Sequence, residues 1–298
     1  MIPPCLFLKA VLKQRKSMHL SNYHSHCSFC DGRSIPEDFV KFAVSKSFRA
    51  YGVSSHGPLP FETFWNMSAF DMPEYLTEID RLKDKYGDLL EIYTGMEIDY
   101  LDESYNASIP YFRDLPLDYR IGSVHFLPIS KELSEANMVC IDGPFSDFQN
   151  AVNTHFEGDV KKIVERYYES SMKMVTAGGI DIVGHLDKIY MNGHKCKDFS
   201  FSAPWYHQLV YEYLTLIAEK GLIVEVNTKN LLKKQQTFPK ADYLKVMKEL
   251  NIPVMVNSDC HTPDLVNDGR EEAFGLLKHA GYKATCELIS GSWKEVPF

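Results

Sequence analysis

The sequence predicts an α/β fold, a single-domain TIM-like barrel of seven parallel strands, and three observations carry that prediction. Strand-length apolar runs alternate with segments of helical period along the chain, with no low-complexity linker or repeat between them. Runs such as GLIVEVN (221–227) and IPVMVNSD (252–259) are almost continuously apolar, which suits a parallel sheet covered on its outer face by helices. Each of the seven expected strands also ends in a residue able to bind a metal ion, and a parallel barrel gathers such ends on one rim.

Taken in order, the elements are these. The first seventeen residues, MIPPCLFLKAVLKQRKS, place their charges after a short apolar patch, whereas a secretory signal places them before it. Residues 1–17 are therefore expected to be an extension outside a domain that spans 18–298. Strands are expected at Asn22–His26, Ala50–His56, Glu91–Ile98, Arg120–His125, Ile180–His185, Leu222–Asn227 and Pro253–Asp259. After the first, Ser34 and Glu37 have the spacing of a capping box ahead of Phe39, Val40, Ala43 and Val44. The segment 159–177 places Val160, Ile163, Val164, Tyr167 and Tyr168 on one helical stripe, and Trp205, Leu209, Tyr213, Leu216 and Ile217 make another. Gly87 and Gly221 stand where C-terminal helix caps are expected. The stretch from Pro128 to Thr154 fits neither period, and a loop of that length predicts an active-site wall or lid.

Composition narrows the function classes. The net charge is −8 and no block of basic residues occurs, which weighs against a protein that lies along nucleic acid or an anionic membrane. A small anionic substrate remains compatible, because bound divalent ions reverse the field locally. Seven scattered cysteines do not make a disulfide framework and point to a reducing cytoplasm. No apolar run approaches the ~20 residues that span a bilayer.

The polar residues at the strand ends are His24 and His26, His56, Glu97, His125, His185, Glu225 with Asn227, and Asp259 with His261. Residues i and i+2 of a strand share a face, so His24 and His26 can grip one ion, as can Asp259 and His261, with Cys260 turned away. Imidazole mixed with carboxylate suits Zn²⁺, Mn²⁺, Fe²⁺ or Co²⁺, not an all-oxygen calcium cage. A lone strand histidine is ordinarily a hydrogen-bonded core or surface group. What changes the reading is that six of eleven histidines coincide with expected strand ends. His19, His194, His207 and His279 do not, and read as solvent-facing or packing residues. Cys27 and Cys30 form a C-x-x-C without a second one to complete a zinc ribbon, and are taken as incidental. Asp31, just beyond, can reach back to the rim. His155, near the end of the unpatterned stretch, is a candidate substrate contact, with an ordinary loop histidine as the plainer reading. Lys188 and Lys229, just past strands five and six, are candidate phosphate contacts, and surface lysine is the alternative.

With those residues in view, the chain resembles the polymerase and histidinol-phosphatase (PHP) family, and within it the histidinol-phosphatase branch. The resemblance runs from Met18 to the C-terminus. It rests on His24-Ser25-His26, SSHGP at His56, GMEIDY at Glu97, GSVHF at His125, DIVGHLDKI at His185 and NSDCHTP at Asp259 and His261. It implies a distorted (βα)7 barrel holding two or three divalent ions, often zinc, manganese or iron. It further implies that Glu97 bridges ions, with His24, His26 and Asp259 around one, His125 and His185 around another, and His56 and His261 helping with a third. Where many members carry a histidine after the H-x-H, this chain offers Asp31, which bears on the third ion alone. The implied reaction is hydrolysis of L-histidinol phosphate by a metal-bound hydroxide. Clustered cations neutralise the phosphate oxygens, acidify a water and stabilise the leaving alkoxide. Asp259 and His261 both remain open as the proton donor, and Glu97 belongs with them to the catalytic set. Other readings are a phosphoesterase acting on nucleotides or oligonucleotide ends, an amidohydrolase, and an inactive metal-binding barrel. The missing basic groove, the absence of a convincing eighth strand, and a nearly complete ligand set count against these in turn.

Overall fold

The computed structural model describes residues 20–197 and 199–298, so the extension expected over 1–17, like His19, lies outside the described residues. Seven parallel strands form one sheet: β1 (Ser21–Asn22), β2 (Ala50–Val53), β3 (Glu91–Asp99), β4 (Tyr119–Ser123), β7 (Ile182–Val183), β8 (Ile223–Asn227) and β9 (Val254–Asn257). They lie side by side in chain order. Two antiparallel hairpins stand apart from that sheet, β5 (Phe126–Pro128) with β6 (Met138–Cys140), and β10 (Ala284–Ile289) with β11 (Ser292–Pro297). In five strands the chain leaves the sheet before the polar residues at His24, His56, His125, His185 and Asp259, so those ladders are shorter than the runs that predicted them, whereas β3 and β8 keep Glu97 and Glu225 within the ladder.

The sheet curls until its first and last strands meet, and the result is a nearly closed, TIM-like barrel. The β1–β9 seam holds one parallel bridge, Ser25 to Cys260, in which His26 N donates to Cys260 O at 2.9 Å. Two asparagine side chains do the rest. Asn257 Oδ1 accepts from Tyr23 N (2.9 Å), and Asn22 Oδ1 accepts from Ser258 N (2.7 Å). Side-chain amides thus satisfy backbone groups that a continued ladder would have paired.

Helices Pro36–Ser45, Met72–Tyr86, Val160–Ala177, Pro204–Lys220 and Arg270–His279 cover the outer face. In Val160–Ala177 the stripe read from the sequence is the buried one, and the Asp159 side chain caps it by accepting from Lys161 N at 2.8 Å. In Pro204–Lys220 the fully buried residues are Tyr206, Val210, Tyr213, Leu214 and Ile217, one position round from Trp205 and Leu209, which are only half-buried. Gly221 ends that helix in the left-handed region, while Gly87 caps its own helix with an ordinary right-handed backbone. The expected capping box does not form. Ile35 is the cap residue, Pro36 opens the helix, and Glu37 accepts from Arg81, Lys85 and Tyr86 on the neighbouring helix instead. Among the described residues no helix is long and apolar enough to cross a membrane.

The floor of the barrel, at the N-terminal ends of the strands, is packed shut. Tyr23, Tyr93, Tyr119, Ile182, Ile223 and Met255 form one buried cluster with Cys286 and Leu288 of the C-terminal hairpin. Trp293 meets Tyr23 edge-on, with ring centres 5.5 Å apart. Tyr119 lies across its neighbours so closely that a methyl group at Gly52 or Gly95 would come within 2.1 Å of it. Only glycine lets those two strands pass. The phenols are answered: Tyr119 OH donates to Tyr23 O at 2.6 Å, and Leu288 N donates to Tyr23 OH at 2.8 Å.

Candidate metal centre

At the opposite end of the same strands the residues named from the sequence come together. His24, His26, Asp31, His56, Glu97, His125, His185, Asp259 and His261 surround one volume, although they are drawn from nearly the whole length of the domain. Glu97 is the hub, and it is nearly fully buried. Its Oε2 lies 2.9 Å from His56 Nδ1, 3.2 Å from His24 Nε2 and 3.5 Å from His26 Nε2. Its Oε1 lies 2.9 Å from His185 Nε2 and accepts from Ser123 Oγ at 2.6 Å. His125 Nε2 is 3.1 Å from His185 Nε2. Asp259 Oδ1 approaches His26 Nε2 at 3.2 Å, and Asp31 Oδ2 approaches His261 Nε2 at 3.2 Å.

Three groups place one ligand-type atom from each member within 4.8 Å of the others: His26, Asp31, His56 and His261; His24, His26 and Glu97; and His56, Glu97 and His125. Asp31 thus falls in with two histidines of the expected third ion. The donor set is one that divalent transition metals use.

Whether the residues fit such ions can be tested on their unmet hydrogen bonds. His24 Nε2, His26 Nε2, His56 Nδ1, Glu97 Oε2 and Asp31 Oδ1 are buried atoms with no hydrogen-bond partner. Orphaned buried polar atoms are uncommon and costly, at about 1–3 kcal/mol each. Five around one volume are what a cation would satisfy. Protonation points the same way. Burial, with His56 and His261 alongside, holds His26 well below the usual histidine range, so its imidazole is neutral. Burial alone would raise Glu97, but His24, His56 and His125 keep its carboxyl well below the carboxylate range. His24 is the reverse case: burial opposes its charge, yet Glu225, Glu97 and Asp259 raise it well above 6.5. In this arrangement protons on His24 and His125 answer the buried carboxylates, and a bound cation would take their place.

The supporting shell is largely what the sequence reading missed. Asp99 Oδ1 accepts from His125 N at 2.8 Å and lies 3.0 Å from His125 Nδ1. Against the pull of burial, Asp99 and Glu97 push His125 up to about 9. Asp99 is two residues beyond Glu97, so the i, i+2 rule applied to His24 and His26 would have found it. Glu225, read at a strand end but not as part of the site, lies 2.8 Å from His24 Nδ1 and accepts from His185 N at 2.8 Å. Such partners fix the tautomer and orientation of a ligating imidazole. For Asp259 and His261 the outcome holds on a different ground. β9 ends at Asn257, and Asp259 has φ 48°, a left-handed backbone that costs a non-glycine residue roughly 1–2 kcal/mol. That turn, not strand alternation, aims both residues inward, while Cys260 packs into the core.

The centre opens into a cleft of about 410 Å³. Lys188 and Lys229 line it. Lys188 is buried with its Nζ 3.5 Å from Asp142 Oδ2, and Lys229 Nζ donates to Asp259 Oδ1 at 3.0 Å. The stretch 128–154 supplies part of the cleft wall through β6, the turn after it and the start of helix Phe145–His155. His155 does not reach the cleft. Its helix enters at Pro144 and Asp147 and runs about 16 Å outward, leaving His155 exposed in its last turn beside a separate groove. His194, His207 and His279 are exposed as expected. Cys27 is buried against Ser55 Oγ (3.1 Å), and Cys30 Sγ lies 3.6 Å from His26 Nδ1.

Comparison with known proteins gives consistent findings. A family model described as PHP domain matches residues 22–229. A histidinol-phosphatase from Bacillus subtilis (strain 168) is 28% identical over 258 residues, covering 80% of this chain and 92% of that protein. Among solved structures, histidinol phosphate phosphatase from Lactococcus lactis subsp. lactis, complexed with zinc, L-histidinol and phosphate, superposes with a TM-score of 0.71 at 22% identity. That match covers 92% of this chain and 98% of the other.

Proposed function

The chain belongs to the PHP family, and from that premise we propose that it is a metal-dependent phosphomonoesterase that hydrolyses L-histidinol phosphate to L-histidinol and phosphate. The observation that carries the reading is the convergence of three ligand-type groups, with their orphaned atoms, on one end of the barrel. The substrate is favoured by the Bacillus subtilis relative and by the histidinol and phosphate bound in the Lactococcus lactis neighbour.

Two or three zinc, manganese or iron ions would be held by His24, His26, Asp31, His56, Glu97, His125, His185, Asp259 and His261. When bound, such ions neutralise the phosphate oxygens and make an activated water available at neutral pH. The chain's own residues do the positioning. Lys229 and Lys188 offer the phosphate two ammonium groups along the cleft. Asp259 is already committed as an acceptor, from Lys229 Nζ at 3.0 Å and Asn227 Nδ2 at 3.1 Å. His261 is partly open to the cleft, and its Nε2 lies 3.4 Å from Lys229 Nζ, so when that nitrogen is not holding an ion it is the better placed of the two to give a proton to the leaving oxygen. Cleft size and carried charge suit a small phosphate ester. A cytoplasmic setting agrees with Cys27, Cys30, Cys140, Cys260 and Cys286, which are free thiols.

The test is phosphate release from purified protein supplied with Zn²⁺ or Mn²⁺, together with elemental analysis. Histidinol phosphate should be hydrolysed far faster than generic esters. Comparable rates on both would overturn the substrate and leave the phosphatase class standing.

A further inference from the structure

We infer that the cleft wall facing the ligand-type residues is a leaving-group subsite that selects a flat, cationic alcohol; the inference rests on the phosphatase reading above. Two arms build it. The loop after β2 brings Phe64 and Trp65, and the segment from β5 to the start of helix Phe145–His155 brings Phe126, Glu135, Asp142 and Asp147.

Charge settles which end of a substrate goes where. Asp142 is answered by Lys188 at 3.5 Å, but Glu135 and Asp147 have no ion-pair partner among the described residues. Three carboxylates against one ammonium leave this wall with two surplus negative charges. It repels a phosphate group, which must turn toward the ligand-type residues and Lys229, and it attracts a positive charge on the opposite end of the ester. The aromatic surface adds shape. Trp65 stacks on Phe126 at an interplanar angle of 17° with centroids 5.6 Å apart, and it meets His56 edge-on at 4.5 Å. Phe64 stands 95% exposed on the lining of the same cleft. An apolar ring held in water at a cleft mouth gains by being covered, and a flat ring bearing a cation suits both it and the carboxylates. L-Histidinol, with an imidazole and an ammonium group, has that form.

The test compares histidinol phosphate, 2-aminoethyl phosphate and ethyl phosphate on the metal-loaded full chain. In the wild type both cationic esters should outpace ethyl phosphate in kcat/KM. Glu135→Gln and Asp147→Asn should each lower the histidinol phosphate to ethyl phosphate ratio about tenfold, mostly through KM, and Phe64→Ala about threefold. Replacing both acids by lysine should shift preference toward an ester with an anionic leaving group, such as 3-phosphoglycerate, a gain that a merely structural role would not produce. Unmoved ratios in variants that melt like the wild type overturn the subsite, as does a wild type indifferent to the cation. A wild type that prefers 2-aminoethyl over ethyl phosphate yet ignores histidinol phosphate would overturn the substrate reading while supporting the subsite.

Discussion

The two ends of this barrel are made by the same seven strands and follow opposite rules. At the floor, the phenols of Tyr23, Tyr93 and Tyr119 all find partners: Tyr119 OH reaches Tyr23 O, Tyr23 OH is met by Leu288 N, and Tyr93 OH donates to Glu91. At the rim, five buried nitrogen and oxygen atoms, one each from His24, His26, Asp31, His56 and Glu97, have none. A closed hydrogen-bond account stabilises the fold for its own sake. An open one, with several orphaned atoms gathered around one volume, points to a ligand that completes it. The contrast separates the residues that hold the barrel together from those reserved for chemistry.

That separation can be broken by mutation. Glu97→Ala removes the hub of the rim, and turnover is expected to fall on the order of 10³-fold with loss of bound metal, while the metal-free protein melts close to the wild type. Phosphate release, elemental analysis and calorimetry measure the three parts, and a variant that keeps its turnover would dissolve the distinction. Leu288→Ala does the converse at the floor. It should cost about 2–5 kcal/mol in a denaturant titration and leave kcat of the folded enzyme alone. Asp99→Asn sits between the two, behind a ligand-type histidine but outside the centre. Metal affinity should drop roughly 10–100-fold, read by competition with a chelator. The smallest effect is on pH. His125 is held at about 9, above the 6.5 of a free imidazole, so its contribution to stability is fully present below pH 6.5 and is lost as pH rises through 9. The metal-free protein should therefore melt several degrees higher at pH 6 than at pH 9.5, by less in Asp99→Asn. Excess zinc should reverse the trend, because binding requires the deprotonated ring.

The rim was far more legible in the sequence than the floor. Strand-end polar residues interrupt apolar runs, so His56, Glu97 and His185 announce themselves in a way that Tyr23 or Tyr119 cannot. The carboxylates behind the ligand-type histidines are partly legible: Asp99, against His125, obeys the same alternation as His24 and His26. The C-terminal hairpin was not anticipated, yet Ser290 and Gly291, both at positive φ between β10 and β11, are a two-residue hairpin turn whose S-G signal was available. His155 could not have been placed. Its proximity to the cleft in sequence is undone by a helix whose direction only tertiary packing sets. The role of Phe64 and Trp65 was likewise hidden, since a loop aromatic carries no periodic signal.

The seam between β1 and β9 has a consequence for how the molecule comes into being. His24 and His26 leave the ribosome among the earliest residues of the domain, and their neighbours across the seam, Asn257 to Asp259, arrive more than 230 residues afterwards. At synthesis rates of about 5–20 residues per second, His24 and His26 wait roughly ten to fifty seconds for Asp259 and His261 to join them. Two of the three ligand-type groups are complete in sequence once His125 is made, whereas the group that includes His261, and the seam that closes the barrel, wait for the end of the chain.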